Sequence, residues 1–289
     1  MRYGAHMESD LREKTVVITG ANTGIGKVTA QTLAARGATV VLACRSEAKT
    51  APVIAAIRAA VPNAAVEFVA LDLGDLAAIK RAAQQLASRE RTIDILINNA
   101  GVAGLRGTTK DGFEMAFGTN HLGHYLWTRL LLPHVKRGTG LTAGRIVNVA
   151  SRAHYSPKHI AWEALRKPTQ SRTGLAEYGV SKLCNVLFTQ ELARREPGIN
   201  SYAVHPGVIA TDVWRHTPAP LGWLLKKFLV TPEQGAQTSI ATATAARYAN
   251  ESGRYYHSNG NEKRPNRLAL DPSLATELWQ RSAVWVGLE

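Results

Sequence analysis

The feature that most constrains the fold is a strand, a glycine turn and a helix near the start of the chain. The β-branched run 14–19 predicts a buried strand. It leads directly into Gly20-Ala21-Asn22-Thr23-Gly24-Ile25-Gly26, and helical periodicity follows until Gly37. Glycines let a backbone approach a pyrophosphate closely, and the first turn of a helix offers free N–H groups and a positive dipole end. The unit therefore predicts a dinucleotide phosphate site, although its spacing is Gly-x-x-x-Gly-x-Gly.

Strand-like and helix-like segments alternate along the remainder of the chain. Short apolar runs predict further strands, and stretches with helical periodicity separate them. This alternation predicts an α/β fold, with a doubly wound parallel sheet of about seven strands and helices on both faces. We expect residues 14–289 to form this single domain and residues 1–13 to be disordered or left over from cloning. The predicted strands are 14–19, 39–44, 66–71, 93–98, 145–151, 200–204 and 254–256, and a helix is predicted over 111–132.

The end of the second predicted strand bears on the choice between NAD and NADP. In a dinucleotide site this end meets the adenosine ribose, where a carboxylate selects NAD and an arginine accommodates the 2′-phosphate of NADP. Here the strand runs into Arg45 and Ser46, and no carboxylate follows until Glu47. A guanidinium can bind a phosphate through two N–H groups, Ser46 could donate a hydrogen bond, and Lys49 could add charge. The sequence favours NADP over NAD, with a plain surface arginine as the alternative.

Asp72 and Leu73 follow the third predicted strand. At this edge of the sheet, the Asp72 carboxylate could accept a hydrogen bond from the adenine amino group of the cofactor. A role in the turn before the next helix is the alternative, because aspartate side chains readily bond to nearby backbone N–H groups.

A second pattern points to proton transfer. Tyr178 and Lys182 are four residues apart in a predicted helix, so they lie on one face. A free phenol titrates near ~10, and a neighbouring ammonium moves its pKa toward the neutral range. Tyr-x-x-x-Lys also arises by chance in amphipathic helices, so the motif alone leaves both readings open. Ser151 ends the fifth predicted strand, at the edge where catalytic groups of open α/β sheets collect.

Composition excludes several classes of protein. The net charge is +13, but the basic residues are scattered singly, which favours a solvated surface that attracts an anionic cofactor over a nucleic-acid site. No apolar run approaches the ~18–20 residues of a membrane span, and the N-terminus lacks the apolar core of a signal peptide. The two cysteines, Cys44 and Cys184, fit no metal spacing. The sequence predicts a cytoplasmic protein without a metal, a nucleic-acid partner or a stable membrane anchor.

Taken together, the motifs resemble those of the short-chain dehydrogenase/reductase family. Two further segments resemble those of the retinol-dehydrogenase-like branch of this family, namely Ala43-Cys44-Arg45 and Asn120-His121-Leu122-Gly123-His124. Membrane-bound members of that branch carry an apolar N-terminal anchor, which this chain lacks. The match spans about 14–288 and rests on Thr19-Gly20-Ala21-Asn22-Thr23-Gly24-Ile25-Gly26, Asn98-Asn99-Ala100-Gly101, Asn120, Ser151, Tyr178-x-x-x-Lys182 and Pro206-Gly207.

The resemblance implies a Rossmann-type fold and four catalytic residues. Tyr178 would be the general acid in carbonyl reduction and the general base in alcohol oxidation. Lys182 would lower the pKa of that tyrosine and bind the nicotinamide ribose. Ser151 would stabilise the charge that develops on the substrate oxygen. Asn120 would position a water linked to Lys182, in a helix that is locally distorted.

The resemblance also implies the remaining cofactor contacts. Asn99 would brace the loop on the adenosine side, and the backbone of 206–208 with Thr211 would fix the carboxamide and so the hydride face. Together with the residues proposed above, the expected cofactor-binding set is Gly20, Asn22, Thr23, Gly24, Ile25, Gly26, Arg45, Ser46, Lys49, Asp72, Leu73, Asn99, Ala100, Gly101, Tyr178, Lys182, Pro206, Gly207, Val208 and Thr211.

The function implied by the resemblance is an NADP(H)-dependent oxidoreductase that interconverts a carbonyl and an alcohol on a fairly apolar small molecule. Reduction is the favoured direction. The alternatives are an NADPH-dependent C=C reductase on the same fold and a non-catalytic NADP-sensing regulator. Loops 152–176 and 208–230 are expected to shape the substrate pocket. The apolar stretch 218–230 of the second loop is interpreted as a mobile lid, with a core helix as the alternative. Relatives often form homodimers or homotetramers through the helices that bear Asn120 and Tyr178.

Overall fold

The computed structural model describes residues 10–207 and 230–288. Within these residues, a seven-stranded parallel sheet organises the fold, in the strand order β3-β2-β1-β4-β5-β6-β7. The order runs outward in both directions from the central pair β1 and β4, which confirms the predicted doubly wound sheet. The strands are β1 Thr15–Thr19, β2 Thr39–Cys44, β3 Val66–Ala70, β4 Ile95–Asn98, β5 Gly144–Val149, β6 Ile199–Val204 and β7 Arg254–Tyr256.

The central strands are buried on both faces, as expected for a parallel sheet covered by helices. Because successive side chains alternate across a strand, Val17 belongs to one hydrophobic core and Val16 and Ile18 to the other. The first core contains residues of α3, α4, α5 and α7, and the second contains residues of α1, α2 and α6. These helices are α1 Gly24–Ala35, α2 Glu47–Ala60, α3 Leu76–Ala87, α4 from Met115 to Leu131, α5 Leu175–Arg195, α6 Pro232–Thr244 and α7 Pro272–Val286.

Helix α4 differs from its prediction in two ways. It begins at Met115 rather than near residue 111, because the Glu114 carboxylate caps its first turn by accepting from Phe117 N. Asp111 instead accepts from the backbone N–H of Leu76, at the start of α3. Helix α4 also contains a π-helical turn, Gly118–Leu122, between its α-helical parts Met115–Phe117 and Gly123–Leu131.

Helix α7 forms an outer layer over α4 and α5. The Trp279 ring lies 5.2 Å from Tyr125 of α4 and stacks 5.8 Å from Phe188 of α5. The Trp285 ring lies 5.8 Å from Phe113 and 5.6 Å from Phe117. The outer sides of α4 and α5 are therefore covered by the chain's own C-terminal helix.

The predicted loops and boundaries differ from the structure in detail. Leu11 is buried and donates its N–H to Arg36 O, so the described fold begins before the predicted boundary at residue 14. Loop 152–176 contains two short 3₁₀ turns, Arg152–Tyr155 and Trp162–Arg166. Nearly all of the predicted lid lies outside the described residues. Within the described ranges, none of the helices has the length and apolar character that crossing a membrane requires.

Candidate active site

Three of the predicted catalytic residues meet at the carboxyl end of β5. Lys182 lies on the sheet-facing side of α5, is 3% exposed, and donates from Nζ to Val149 O at 2.7 Å. Tyr178 lies one turn earlier on the same helix, and its ring centroid is 5.7 Å from Lys182 Nζ. Ser151 follows the strand by two residues and is half-buried beside them. Its Oγ accepts from Ala153 N, which leaves its O–H group available to donate.

Burial dominates the electrostatics of this pair. It lowers the pKa of Lys182 to about 7, because the charged form of the amine is desolvated. Burial also raises the pKa of Tyr178, and a hydrogen bond with the Ser151 side chain lowers it in part. The structure therefore does not show the lowered phenol pKa expected from the Tyr-x-x-x-Lys spacing. The reason is that desolvation of the phenolate is the largest effect on this pKa in the folded protein.

Asn120 lies in the π-helical turn of α4, where the backbone N–H of Gly123 bonds to Gly118 O. Such turns are frequent at functional sites. Its Nδ2 group donates to Val102 O and to Ser181 Oγ, both at 2.9 Å, and its Oδ1 accepts from Val102 N at 2.7 Å. The side chain thus joins the loop after β4 to the catalytic helix. The distortion of the helix is present, and the predicted water on Asn120 stays a prediction.

Gly101, another predicted site residue, packs between Asn120 and Lys182. A Cβ atom at this position would lie 3.2 Å from Asn120 Oδ1 and 3.5 Å from Lys182 Nζ. A larger side chain would therefore crowd two predicted catalytic groups at once.

Hydrogen bonds join the end of β1 to the loop after β4. Thr19 Oγ1 accepts the backbone N–H groups of Asn99 at 2.9 Å and Ala100 at 3.0 Å. The Asn99 side chain donates back to Thr19 O at 2.8 Å and to Gly20 O at 3.3 Å. The Asn99 side chain therefore joins the glycine turn to the loop after β4. Thr19 Oγ1 also lies 2.8 Å from Nε2 of His124, a buried residue of α4.

The glycine turn has the features that a dinucleotide phosphate group needs. Gly20 and Gly24 have φ values of +67° and +53°, which side chains rarely adopt. A Cβ atom at Gly26 would lie 2.5 Å from Gly20 O and 2.5 Å from Asn99 Nδ2, so only glycine fits there. Thr23 precedes α1 without a side-chain capping bond, which leaves the N–H groups of the first turn available to an anion.

Arg45 is exposed at the end of β2 and, within the described residues, makes no hydrogen bond or ion pair. Ser46 caps α2 by accepting from Lys49 N at 3.4 Å, and Lys49 is exposed. The side chains of Arg45 and Lys49 are therefore accessible to an anion.

The remaining predicted cofactor residues lie in several parts of the fold. Asp72 Oδ1 accepts from Gly74 N at 2.9 Å, which is the turn role left open above, and its role toward adenine stays a prediction. Leu73 is buried beneath α4, with its carbonyl facing Gly123. Pro206 is buried and Gly207 has φ +99°, at the end of β6. Asn22 and Ile25 lie half-buried in the turn, whereas Val208 and Thr211 fall outside the described residues.

Sequence reasoning gave no role to four residues that hold this site together. They are Thr19, Val102, His124 and Ser181, and the Ser181 hydroxyl also donates to Tyr178 O at 2.8 Å. Thr19, His124 and Ser181 lie inside recognised motifs, so inspection of the other motif residues could have suggested them. Val102 acts through its backbone and leaves no signal in a sequence. The four-residue spacing of His124 from Asn120 also places both residues on one face of a helix, which could have indicated their contact.

Comparison with known proteins identifies the family. The profile described as "short chain dehydrogenase" matches residues 14–164, about half of the chain. Retinol dehydrogenase 13 of Homo sapiens is 43% identical over 290 residues, which covers 96% of this chain and 85% of the relative. The chain belongs to the short-chain dehydrogenase family. Retinol dehydrogenase 11 of Homo sapiens is 42% identical to this short-chain dehydrogenase and covers 95% of it and 86% of the relative.

Solved structures confirm the Rossmann-type fold of this short-chain dehydrogenase. An uncharacterised protein from Mycobacterium paratuberculosis superposes with a TM-score of 0.78 at 31% identity, and the match covers 98% of this chain and 97% of the other. The Pseudomonas aeruginosa RhlG/NADP active-site complex superposes with a TM-score of 0.71 at 24% identity, covering 89% and 98% of the two chains. The family assignment makes the chain a member of an oxidoreductase family.

Proposed function

We propose that this short-chain dehydrogenase is an NADP(H)-dependent oxidoreductase that interconverts a carbonyl and an alcohol on a fairly apolar small molecule, with Tyr178 as general acid and base. One observation carries the proposal: Tyr178, Ser151, Lys182 and Asn120 converge beside a glycine turn with free helix N–H groups. When bound, NADPH supplies the hydride, which no side chain can provide. The similarity to retinol dehydrogenases supports an apolar alcohol or aldehyde as substrate.

The chain's own residues would supply orientation and the proton. The half-buried phenol of Tyr178 would hold the proton that a carbonyl oxygen takes up on reduction. Ser151 would donate its O–H to that oxygen, because its Oγ already accepts from Ala153 N. Lys182, held by Val149 O, would keep a positive or titrating group beside the phenol at neutral pH. Burial raises the pKa of Tyr178 and lowers the pKa of Lys182. Titratable groups with perturbed pKa values are typical of acid–base sites, which supports these roles.

Replacement of Tyr178 by Phe tests the mechanism. Because general acid catalysis contributes about 10²- to 10⁴-fold, we expect kcat to fall by that factor while NADPH affinity stays nearly unchanged. The measurement is NADPH consumption over aldehydes, ketones and retinal, with product analysis on unsaturated ketones. An alcohol product supports carbonyl reduction, and a saturated ketone would support the C=C reductase instead.

Tyr202→Phe is the matched control for Tyr178→Phe, since the buried hydroxyl of Tyr202 donates to Tyr248 O in the core. Retained activity in Tyr178→Phe would remove this residue from the mechanism.

Replacement of Arg45 by Asp tests the choice of NADP. The Arg45 guanidinium is exposed and has no partner among the described residues, so it could bind a 2′-phosphate, which a carboxylate there would repel. We expect the ratio of kcat/KM for NADPH over NADH to fall by about 10- to 100-fold, the range for a hydrogen bond to a charged group. Arg81→Asp, at an exposed position of α3, is the control for charge alone. An unchanged ratio in Arg45→Asp would contradict the phosphate assignment.

The covered outer faces of α4 and α5 bear on assembly. The family resemblance implies that pairing through these helices is possible, and α7 occupies their outer sides in the structure. We therefore propose that any homodimer or homotetramer of this chain uses another surface. A cytoplasmic location and a substrate pocket shaped by loops 152–176 and 208–230 remain part of the proposal.

A further inference from the structure

We infer that His124 is a positioning residue, which joins the glycine turn of the cofactor site to the turn of α4 that carries Asn120. The inference rests on the proposed function, because it concerns the placement of the catalytic groups named there. His124 Nε2 lies 2.8 Å from Thr19 Oγ1, at the end of β1. Its Nδ1 lies 2.9 Å from the backbone oxygen of Asn120. The imidazole thus spans two segments that are about a hundred residues apart in sequence.

Counting donors and acceptors defines the tautomer of this ring. A threonine hydroxyl has two acceptor lone pairs and one proton to donate. The N–H groups of Asn99 and Ala100 occupy the two lone pairs of Thr19 Oγ1. The Thr19 proton is therefore donated to His124 Nε2, which must be unprotonated. The proton of the neutral ring is then on Nδ1 and is donated to Asn120 O. One arrangement satisfies every group.

The surroundings keep the ring in this neutral form. His124, Thr19 and Asn120 are all fully buried or nearly so. Burial lowers the pKa of His124 to about 4, and the nearby charge of Lys182 acts in the same direction. A second proton would break the hydrogen bond from Thr19 and place a cation near Lys182. The tautomer is therefore constant over the neutral pH range.

The hydrogen bonds continue from His124 to the catalytic helix. Asn120, whose carbonyl oxygen accepts from His124, donates from its side chain to Ser181 Oγ. Ser181 in turn donates to Tyr178 O. A single chain of hydrogen bonds thus connects the glycine turn, the π-helical turn and the tyrosine. Loss of its central member is expected to shift the cofactor loop against the catalytic helix, and displacements of about 1 Å can cost ~100-fold in rate.

Helix α4 offers a matched control for this inference. His121 lies one turn earlier, is 1% exposed, and its pKa is also lowered by burial, to about 3. Its Nε2 faces Ser282 Oγ of α7 at 3.2 Å, away from the site. The variants His124→Phe and His121→Phe therefore remove equally buried rings from the same helix, and only the first removes the link to Thr19.

The test compares these variants by kinetics and NADPH binding. For His124→Phe we expect kcat to fall about 10- to 100-fold and NADPH affinity, measured by fluorescence titration, to fall several-fold. His121→Phe is expected to lose stability while both values stay within about threefold. Thr19→Val removes the link to His124 and also the acceptor of the Asn99 and Ala100 N–H groups, so we expect a loss at least as large. The double variant with His124→Phe should be little worse than Thr19→Val alone, because the link to His124 is already broken in that variant. Equal kcat losses in His121→Phe and His124→Phe, or additive losses in the double variant, would overturn the inference.

A second readout does not depend on the substrate or on the variants folding. Histidine side-chain ¹H–¹⁵N spectra of the unmodified protein are expected to show His124 as the Nδ1–H tautomer, neutral down to pH 5. An Nε2–H tautomer or a charged ring at pH 6 would refute the network even if the enzyme reduces carbonyls. Conversely, the expected tautomer with no carbonyl activity would contradict the proposed function and leave the network in place.

Discussion

The inner and outer sides of α4 each bury a histidine, and the two rings have different partners. On the inner side, His124 bonds to Thr19 and to the Asn120 backbone, next to the catalytic groups. On the outer side, His121 faces Ser282. The centroid of its ring lies 5.3 Å from that of Phe117 and 6.0 Å from that of Phe188. Burial lowers the pKa of both rings strongly. A perturbed pKa therefore does not by itself distinguish a site residue from a packing residue, and the hydrogen-bond partners do.

The largest expected effect concerns the outer side. Trp279 is 7% exposed, and the guanidinium groups of Arg129 and Arg195 lie 4.9 Å from its ring. Trp279→Ala should lower the free energy of unfolding by about 3–5 kcal/mol, because truncating a buried tryptophan leaves a cavity. Urea unfolding measures this loss. Val284→Ala is the control on the same helix, because Val284 is 56% exposed and its truncation should change stability by less than about 0.5 kcal/mol.

If the two sides are independent, folded Trp279→Ala should bind NADPH as the unmodified protein does. A large loss of NADPH affinity at a temperature where the variant is folded would show that α7 also supports the site. The two sides of α4 would then not be independent.

Sensitivity to acid is an effect common to both sides. The folded pKa values of His121 and His124 are about 3 and about 4, below the ordinary value of 6.5. Below pH 6.5 the unfolded chain therefore binds more protons than the folded one. Each ring should then lower the free energy of unfolding by about 1.4 kcal/mol per pH unit as the pH falls from 6.5 toward 4. This contribution is fully present above pH 6.5.

Urea unfolding of His121→Phe and His124→Phe at pH 7, 6 and 5 checks this expectation. Each variant should show a shallower pH dependence than the unmodified protein, by a similar amount. The two variants should agree in this slope and differ in kcat, which is the sharpest form of the comparison. An unchanged slope in either variant would mean that its ring is charged or hydrated in the folded state.

Local patterns predicted the sheet well and the helices less well. The predicted strands at 39–44 and 254–256 coincide with β2 and β7, because β-branched and aromatic runs bounded by polar residues are unambiguous in a parallel sheet. The start of α4 was misplaced, because Asp111 and Glu114 are both plausible caps and only packing shows that Asp111 serves α3. The amphipathic pattern of α7 indicated a helix and gave no information about which face of the protein it covers.

The catalytic spacing shows the same limit. The interval from Tyr178 to Lys182 ensured that both side chains share one face of α5, since helix geometry is local. The direction of their pKa shifts depended on burial, which is a property of the whole fold.

What the sequence by itself determined is therefore short-range: the parallel strands, the glycine turn, the tyrosine–lysine pair and the family that carries them. The tertiary structure alone decided which distant groups meet. Thr19, His124 and Ser181 come from β1, α4 and α5, and their hydrogen bonds exist only once the sheet brings those elements together. The physical reason is that hydrogen bonds and desolvation depend on distances in space, whereas patterning along a chain records only the periodicity of each element.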